Sequence, residues 1–226
     1  MSERIVIEQK VLKRNDLSAA ENRKRFFESG LLVLNVVSSP GSGKTALIEA
    51  MLTDVRDEIR CAVVVGDLQT DNDARRMRGR GAPVEQITTG TVCHLEAAMI
   101  ARAIESFDLA SLDVLIVENV GNLVCPASYD LGEDLRVVVL SVTEGEDKPL
   151  KYPQIFKSAD VVLLNKIDLA PVVDWDRNLA INNLHRVSPR AHVYEVSART
   201  RQGLDAWYAH VRSELARKVG QDRRSG

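Results

Sequence analysis

Leu31-Leu32-Val33-Leu34-Asn35-Val36-Val37, running into Ser38-Ser39-Pro40-Gly41-Ser42-Gly43-Lys44-Thr45 and then Ala46-Leu47, decides the fold. The first run is a nearly continuous apolar strand. It ends in a glycine-rich turn that delivers the chain into a helix beginning near Lys44, the strand-loop-helix order that phosphate binding needs. Glycines permit dihedrals and close approaches that side chains obstruct, so successive amides around Gly41, Ser42 and Gly43 can point at one phosphate. Lys44 then neutralises the β/γ oxygens. Thr45 offers a hydroxyl to Mg2+ and opens a helix whose positive end faces the phosphates. Pro40 and Ala46 bound the nucleotide-contacting stretch. The usual pattern begins with glycine, whereas Ser38 stands there in this chain, leaving the central Gly-Ser-Gly-Lys-Thr turn intact.

Outward from this loop, apolar runs predict strands at Cys61–Val65, Val84–Ile87, Val114–Glu118, Val137–Val142, Val161–Leu164 and Val193–Val196. Helical stretches are expected between them at 71–79, 92–105, 150–157, 174–184 and 203–218. Buried strands alternating with surface helices imply an α/β P-loop NTPase with a mostly parallel central sheet flanked by helices on both faces. Residues 1–30 read as an N-terminal arm or accessory helix with a cap at Asp16 or Ser18, residues 31–219 as the nucleotide domain, and 220–226 as a flexible tail.

With 226 residues the chain is long enough for a substantial core. Its 30 Lys plus Arg balance 32 Asp plus Glu, with no long block of one sign, which argues against nucleic acid as a partner. The three cysteines, Cys61, Cys93 and Cys125, are far apart in a chain that opens on mixed charge, so free thiols or ligands are expected, not a disulfide framework. No apolar stretch reaches membrane-spanning length. A cytoplasmic protein is expected.

Asn165-Lys166-Ile167-Asp168 follows the apolar strand Val161–Leu164 and supplies a base reader. Asp168 can accept hydrogen bonds from N1 and the exocyclic amine of guanine, donors that adenine lacks at those positions. GTP and GDP are therefore the expected nucleotides. Asn165 would approach N7, Lys166 would cover the ring with its stem, and Ser197-Ala198 would form the last base-contacting loop.

Two acidic strand ends remain. Asp67 follows Val63-Val64-Val65, and Glu118 follows Val114–Val117. Either carboxylate can serve Mg2+ directly or through water, and Asp67 can also position the hydrolytic water. Gly121 lets its loop approach the γ-phosphate and move when that group leaves. Lys44, Asp67 and Gly121 are thus the expected catalytic set; Thr45, Asp67 and Glu118 are the magnesium set.

Cys93-His94 lies near the start of the predicted helix Thr91–Ile104, with Cys125 in a later loop. Thiolate and imidazole suit nickel or zinc. Neighbouring residues in a regular helix diverge by about 100 degrees, which points to a helix end and an interface site between two chains. The residues alone equally allow a packing thiol beside a surface histidine. Cys61 reads as core.

Several runs together resemble the HypB family of hydrogenase nickel-incorporation GTPases, across about residues 30 to 215. They are Ser39–Thr45, Gly66-Asp67-Leu68, Cys93-His94-Leu95, Glu118–Pro126, Ser141–Pro149 and Asn165–Asp168. The resemblance implies a slow cytosolic GTPase that dimerises with nucleotide. It further implies work with a HypA-like nickel chaperone to deliver nickel to the immature hydrogenase large subunit. It makes Cys93, His94 and Cys125 the Ni2+ or Zn2+ site at the dimer interface. Residues 1–60 contain no Cys or His, so N-terminal nickel storage is not expected. A urease-maturation GTPase normally places proline between Cys and His, which Cys93-His94 lacks. A nucleotide-gated interaction protein with a structural zinc and a small-molecule kinase are the other readings.

Overall fold

A computed structural model describes residues 3–67 and 72–225, without the side chains of 3–9 and 221–225. Residues 68–71, which hold Leu68 of the Gly-Asp-Leu run and the first residue of the helix expected at 71–79, lie outside the described residues, as do the terminal ones.

Seven strands form one parallel sheet: β1 (Leu32–Ser38), β2 (Cys61–Asp67), β3 (Val84–Thr88), β4 (Val114–Glu118), β5 (Leu135–Ser141), β6 (Val161–Asn165) and β7 (His192–Glu195). Their spatial order is β3-β2-β4-β1-β5-β6-β7. Every predicted strand is present, and every pairing is parallel. β1, β4, β5 and β6 are buried along their whole length, as strands covered on both faces must be.

The helices are α1 (Glu3–Glu28), α2 (Lys44–Asp54), α3 (Asn72–Arg78), α4 (Ala97–Ala103), α5 (Lys148–Lys151), α6 (Pro153–Lys157), α7 (Arg177–Val187) and α8 (Leu204–Ser225). Side chains alternate across a strand, and β1 shows which helices lie on which face. Leu32, Leu34 and Val36 pack with α2, α3 and α8, including Met77 and Trp207. Leu31 and Val33 join Phe26 of α1 and Ile100 of α4. Val37, at the far end of β1, joins Phe156 of α6 and Leu184 of α7.

Three expectations change. The helix expected from Thr91 begins only at Ala97, after an extended Glu96 (φ −110, ψ 151), so Cys93 and His94 lie in an irregular turn. The helix expected at 150–157 is two short ones, because Pro153 has no N–H to continue the first. Asp16 and Ser18 sit inside the unbroken 26-residue α1 and cap nothing. The backbone of α8 continues past Gly220 to Ser225.

Candidate nucleotide site and metal centre

Because all strands run the same way, their carboxyl ends share one rim, where ligands of open α/β sheets bind. Ser38, Asp67, Glu118 and Asn165 end β1, β2, β4 and β6 on that rim. There the phosphate loop, Asp67, Glu118 and Gly121 line one cleft of about 440 Å3. Asp73 and Arg76 of α3 line it too, and no sequence expectation had included them. A larger cavity of about 720 Å3 opens at the opposite rim beside Asp160, His192 and His210. It holds none of the predicted site residues.

Gly43 caps α2 at φ +98, and a Cβ there would stand 2.5 Å from Asn165 Nδ2. Dihedral and space both require glycine. The same Asn165 Nδ2 donates to the Ser42 carbonyl at 2.9 Å, and Lys166 Nζ donates to the Gly41 carbonyl at 2.7 Å. Asn165 Oδ1 accepts from Ala198 N at 3.2 Å. Ser197 Oγ donates to Asp168 Oδ1 at 2.6 Å. The phosphate loop, Asn165–Asp168 and Ser197-Ala198 are thus joined into one hydrogen-bonded rim, with Lys166 in the left-handed region at φ +63.

The Thr45 hydroxyl donates to Glu118 Oε1 at 2.7 Å. Glu118 Oε2 is buried without a hydrogen-bond partner, as is Ser42 Oγ. Burial pushes the Glu118 carboxyl up to about 7, against the pull of Lys44 and the Thr45 hydroxyl. A buried carboxylate with a spare oxygen beside a threonine hydroxyl fits a hard cation. These residues would hold Mg2+, which when bound supplies charge neutralisation to phosphate oxygens.

The loop after β4 reaches the second centre. Gly121 lies against Pro40, where a Cβ would come within 3.2 Å of its ring. Asn122 Nδ2 donates to the Cys93 carbonyl at 3.2 Å. Asn119 Oδ1 accepts from Leu95 N at 3.3 Å. Cys93, His94 and Cys125 then gather with their ligand atoms all within 4.8 Å of one another, the Cys93 thiol donating to Cys125 Sγ at 3.0 Å. Both ring nitrogens of His94 are buried without hydrogen-bond partners, and its ring lies tilted by 30° against that of Tyr129, with the centroids 3.8 Å apart. Desolvation holds His94 below the usual imidazole range, and Glu96, 3.8 Å away, opposes this. The hydrogen bond from Cys93 and burial raise the Cys125 thiol. A neutral imidazole with vacant nitrogens beside two thiols is a donor set suited to a soft or borderline divalent ion. Three donors meet within one chain because Cys93 and His94 are free of helical geometry. Cys61 is buried in β2, its thiol pushed up to about 12 by desolvation.

Residues 32–195 match the family model for the CobW/HypB/UreG nucleotide-binding domain. The hydrogenase maturation factor HypB of Rhizobium leguminosarum bv. viciae is 51% identical over 218 residues, 96% of this chain and 73% of that protein. The chain belongs to the HypB family of hydrogenase maturation factors. Its HypB relative from Escherichia coli K12 is 50% identical over 209 residues, covering 92% of this chain and 72% of that one. A crystal structure of HypB from Helicobacter pylori in complex with nickel superposes with TM-score 0.85 at 42% identity, covering 92% of this chain and 96% of that one. HypB proteins are P-loop GTPases, and the seven-stranded parallel sheet described above is their fold.

Proposed function

We propose that this HypB-family chain couples GTP hydrolysis to the handling of nickel for insertion into the large subunit of nickel-iron hydrogenase. The segment from Glu118 to Cys125 carries the reading. Glu118 bonds the phosphate-loop Thr45, Gly121 rests on Pro40, Asn122 holds the Cys93 carbonyl, and Cys125 is itself a candidate ligand. One short stretch of chain therefore touches both centres. A change at the terminal phosphate displaces Gly121, and with it the Asn122 and Cys125 side of the metal cluster.

Lys44 and the loop amides bind phosphate, and Asp168 selects guanine. Asp67 orients the attacking water, with Thr45, Asp67 and Glu118 holding Mg2+. Nickel is cargo, held by Cys93, His94 and Cys125; zinc suits the same donors. We expect slow turnover, since no strong catalytic base is evident beyond Asp67; among the described residues the cleft otherwise offers the water only the carboxylates of Asp73 and Glu118. A nucleotide-dependent homodimer, a HypA-like nickel chaperone and the immature large subunit are the expected partners. No helix among the described residues is long and apolar enough to cross a membrane, in keeping with work in the cytoplasm. Residues 31–219 form the GTPase domain in this reading, with residues 1–30 as an arm on it.

A related factor from Helicobacter pylori, 45% identical over 205 residues, is named for both hydrogenase and urease maturation, which favours urease as a second client. Nickel titrations and mass measurements in nucleotide-free, GDP and non-hydrolysable GTP states test the coupling. Nickel affinity and dimer mass should change with nucleotide, and C93A and H94A should abolish the change in affinity. Equal affinity in all three states, or normal nickel binding by both folded variants, overturns the reading.

A further inference from the structure

The amino-terminal helix carries two asparagines on the stripe where an amphipathic helix ordinarily places apolar residues. Asn15 and Asn22 lie on the buried face of α1 with Ala19 and Phe26, at 5% and 3% exposure. Burying an amide is unfavourable unless it is hydrogen-bonded, and both side chains bond across the fold. Asn15 Oδ1 accepts from Ala97 N at 2.9 Å, and its Nδ2 donates to the Asp130 carbonyl at 2.7 Å. Asn22 Nδ2 donates to the Ala97 carbonyl at 2.9 Å and to the Leu131 carbonyl at 3.0 Å.

Each asparagine bridges the same two segments. One is the start of α4, just beyond His94; the other is the turn following Cys125 and Tyr129. Gly132 brings that turn onto the helix backbone: at φ +89, a Cβ there would stand 2.7 Å from the Ala19 carbonyl oxygen and 2.8 Å from Asn22 Cβ. Arg23 closes the contact with an ion pair to Asp130 at 2.8 Å.

We propose that α1 is a clamp on the metal centre, in which Asn15 and Asn22 are positioning residues that hold the Cys93-His94 turn and the Cys125 turn at ligating separation. The inference rests on reading Cys93, His94 and Cys125 as a metal site. Bonds from sulfur and imidazole nitrogen to such a metal are about 2.0 to 2.3 Å long and tolerate displacements of about 0.2 Å. Two backbone segments tied to one rigid helix meet that tolerance better than two independent loops. Groups that orient ligands without touching the metal affect affinity by about 10- to 100-fold when removed. The parallel strand ladder does not depend on these four bonds, so their loss loosens the cluster while leaving the sheet and the nucleotide cleft in place.

The test uses the reduced full chain, titrated with Co2+ for its thiolate-to-metal absorption and with Ni2+ for affinity, in wild type, Asn15→Ala, Asn22→Ala and the double variant. We expect Ni2+ affinity to fall about 10- to 100-fold in the double variant. Its thiolate band at saturating Co2+ should weaken, while GDP affinity stays within about twofold. A purely structural role would lower the melting temperature yet leave band and affinity unchanged in the folded protein, and that result overturns the clamp. If the double variant fails to fold, the same readings on Asn15→Ala decide. A wild type without a thiolate band refutes the metal site itself, a failure distinct from wild-type binding that the variants retain.

Discussion

The Thr45 hydroxyl donates to Glu118 Oε1 across 2.7 Å, so the first turn of α2 and the end of β4 are joined by a carboxylate that is 2% exposed. The other Glu118 oxygen has no hydrogen-bond partner. The pair has the composition of a hard-cation site held together by its own hydrogen bond.

Glu118→Gln keeps the shape of this pair and removes its charge. Magnesium-dependent phosphate release should drop by about 100-fold or more. The magnesium concentration for half-maximal rate should rise further than in Asp67→Asn. A larger rise in the Asp67 variant would exchange the two roles.

Asp168 is held by the Ser197 hydroxyl at 2.6 Å, with its remaining acceptor capacity left for a base. Asp168→Asn should weaken GDP binding by about 10- to 100-fold, the worth of hydrogen bonds to a charged acceptor. The same variant should gain affinity for xanthosine diphosphate, whose carbonyl replaces the guanine amine and accepts from the new amide. Competition between the two nucleotides reads the switch, and unchanged preference for guanine would remove Asp168 from the base site.

Gly43→Ala meets a left-handed backbone, costing about 1 to 2 kcal/mol, and a Cβ position 2.5 Å from Asn165 Nδ2. Nucleotide affinity should collapse and the melting temperature fall, both measured in the same thermal-shift series with and without GDP. Relief should come from Asn165→Ala in melting temperature but not in nucleotide binding.

Asp113 ties the starts of β2 and β4 by accepting from the Arg60 backbone N at 2.8 Å, Nε at 2.9 Å and Nη2 at 2.7 Å. The bond from the Arg60 side chain holds its carboxyl below the usual carboxylate range, outweighing partial burial. A depressed folded-state pKa stabilises the protein at pH above the unfolded value, and that contribution disappears as pH falls through the folded value. Asp113→Asn should therefore be less stable than wild type in urea at pH 7. The gap should close as pH drops below the ordinary carboxylate range. A gap constant with pH would mean that packing, not charge, is lost.

The strands and the phosphate loop were legible in the sequence because each is a contiguous signal: an apolar run or a turn whose glycines have a local reason. Asn165 and Asp168 were legible for the same reason. The Cys93-His94 turn was not. Leu95, Ala97 and Ile100 continue a helical pattern backwards through it, and what stops the helix is distant, Leu95 N being taken by Asn119 Oδ1. The buried stripe of α1 was hidden in another way. Asn15, Ala19, Asn22 and Phe26 have helical spacing, but two of the four are polar, and their partners at Ala97, Asp130 and Leu131 lie far along the chain. Reading asparagine as a permitted buried residue would have exposed the pattern. Asp73 and Arg76 reach the cleft from a short polar helix that offers no motif.

Cys61 is buried within β2, and desolvation pushes its thiol up to about 12, so it should stay unreactive towards a maleimide in the native protein. Alkylation should then count two thiols and not three, both of them in the candidate metal cluster. On the proposed reading of that cluster as the nickel site, a labelling time course under native conditions would gauge how much cargo it holds, with no background from the core to subtract.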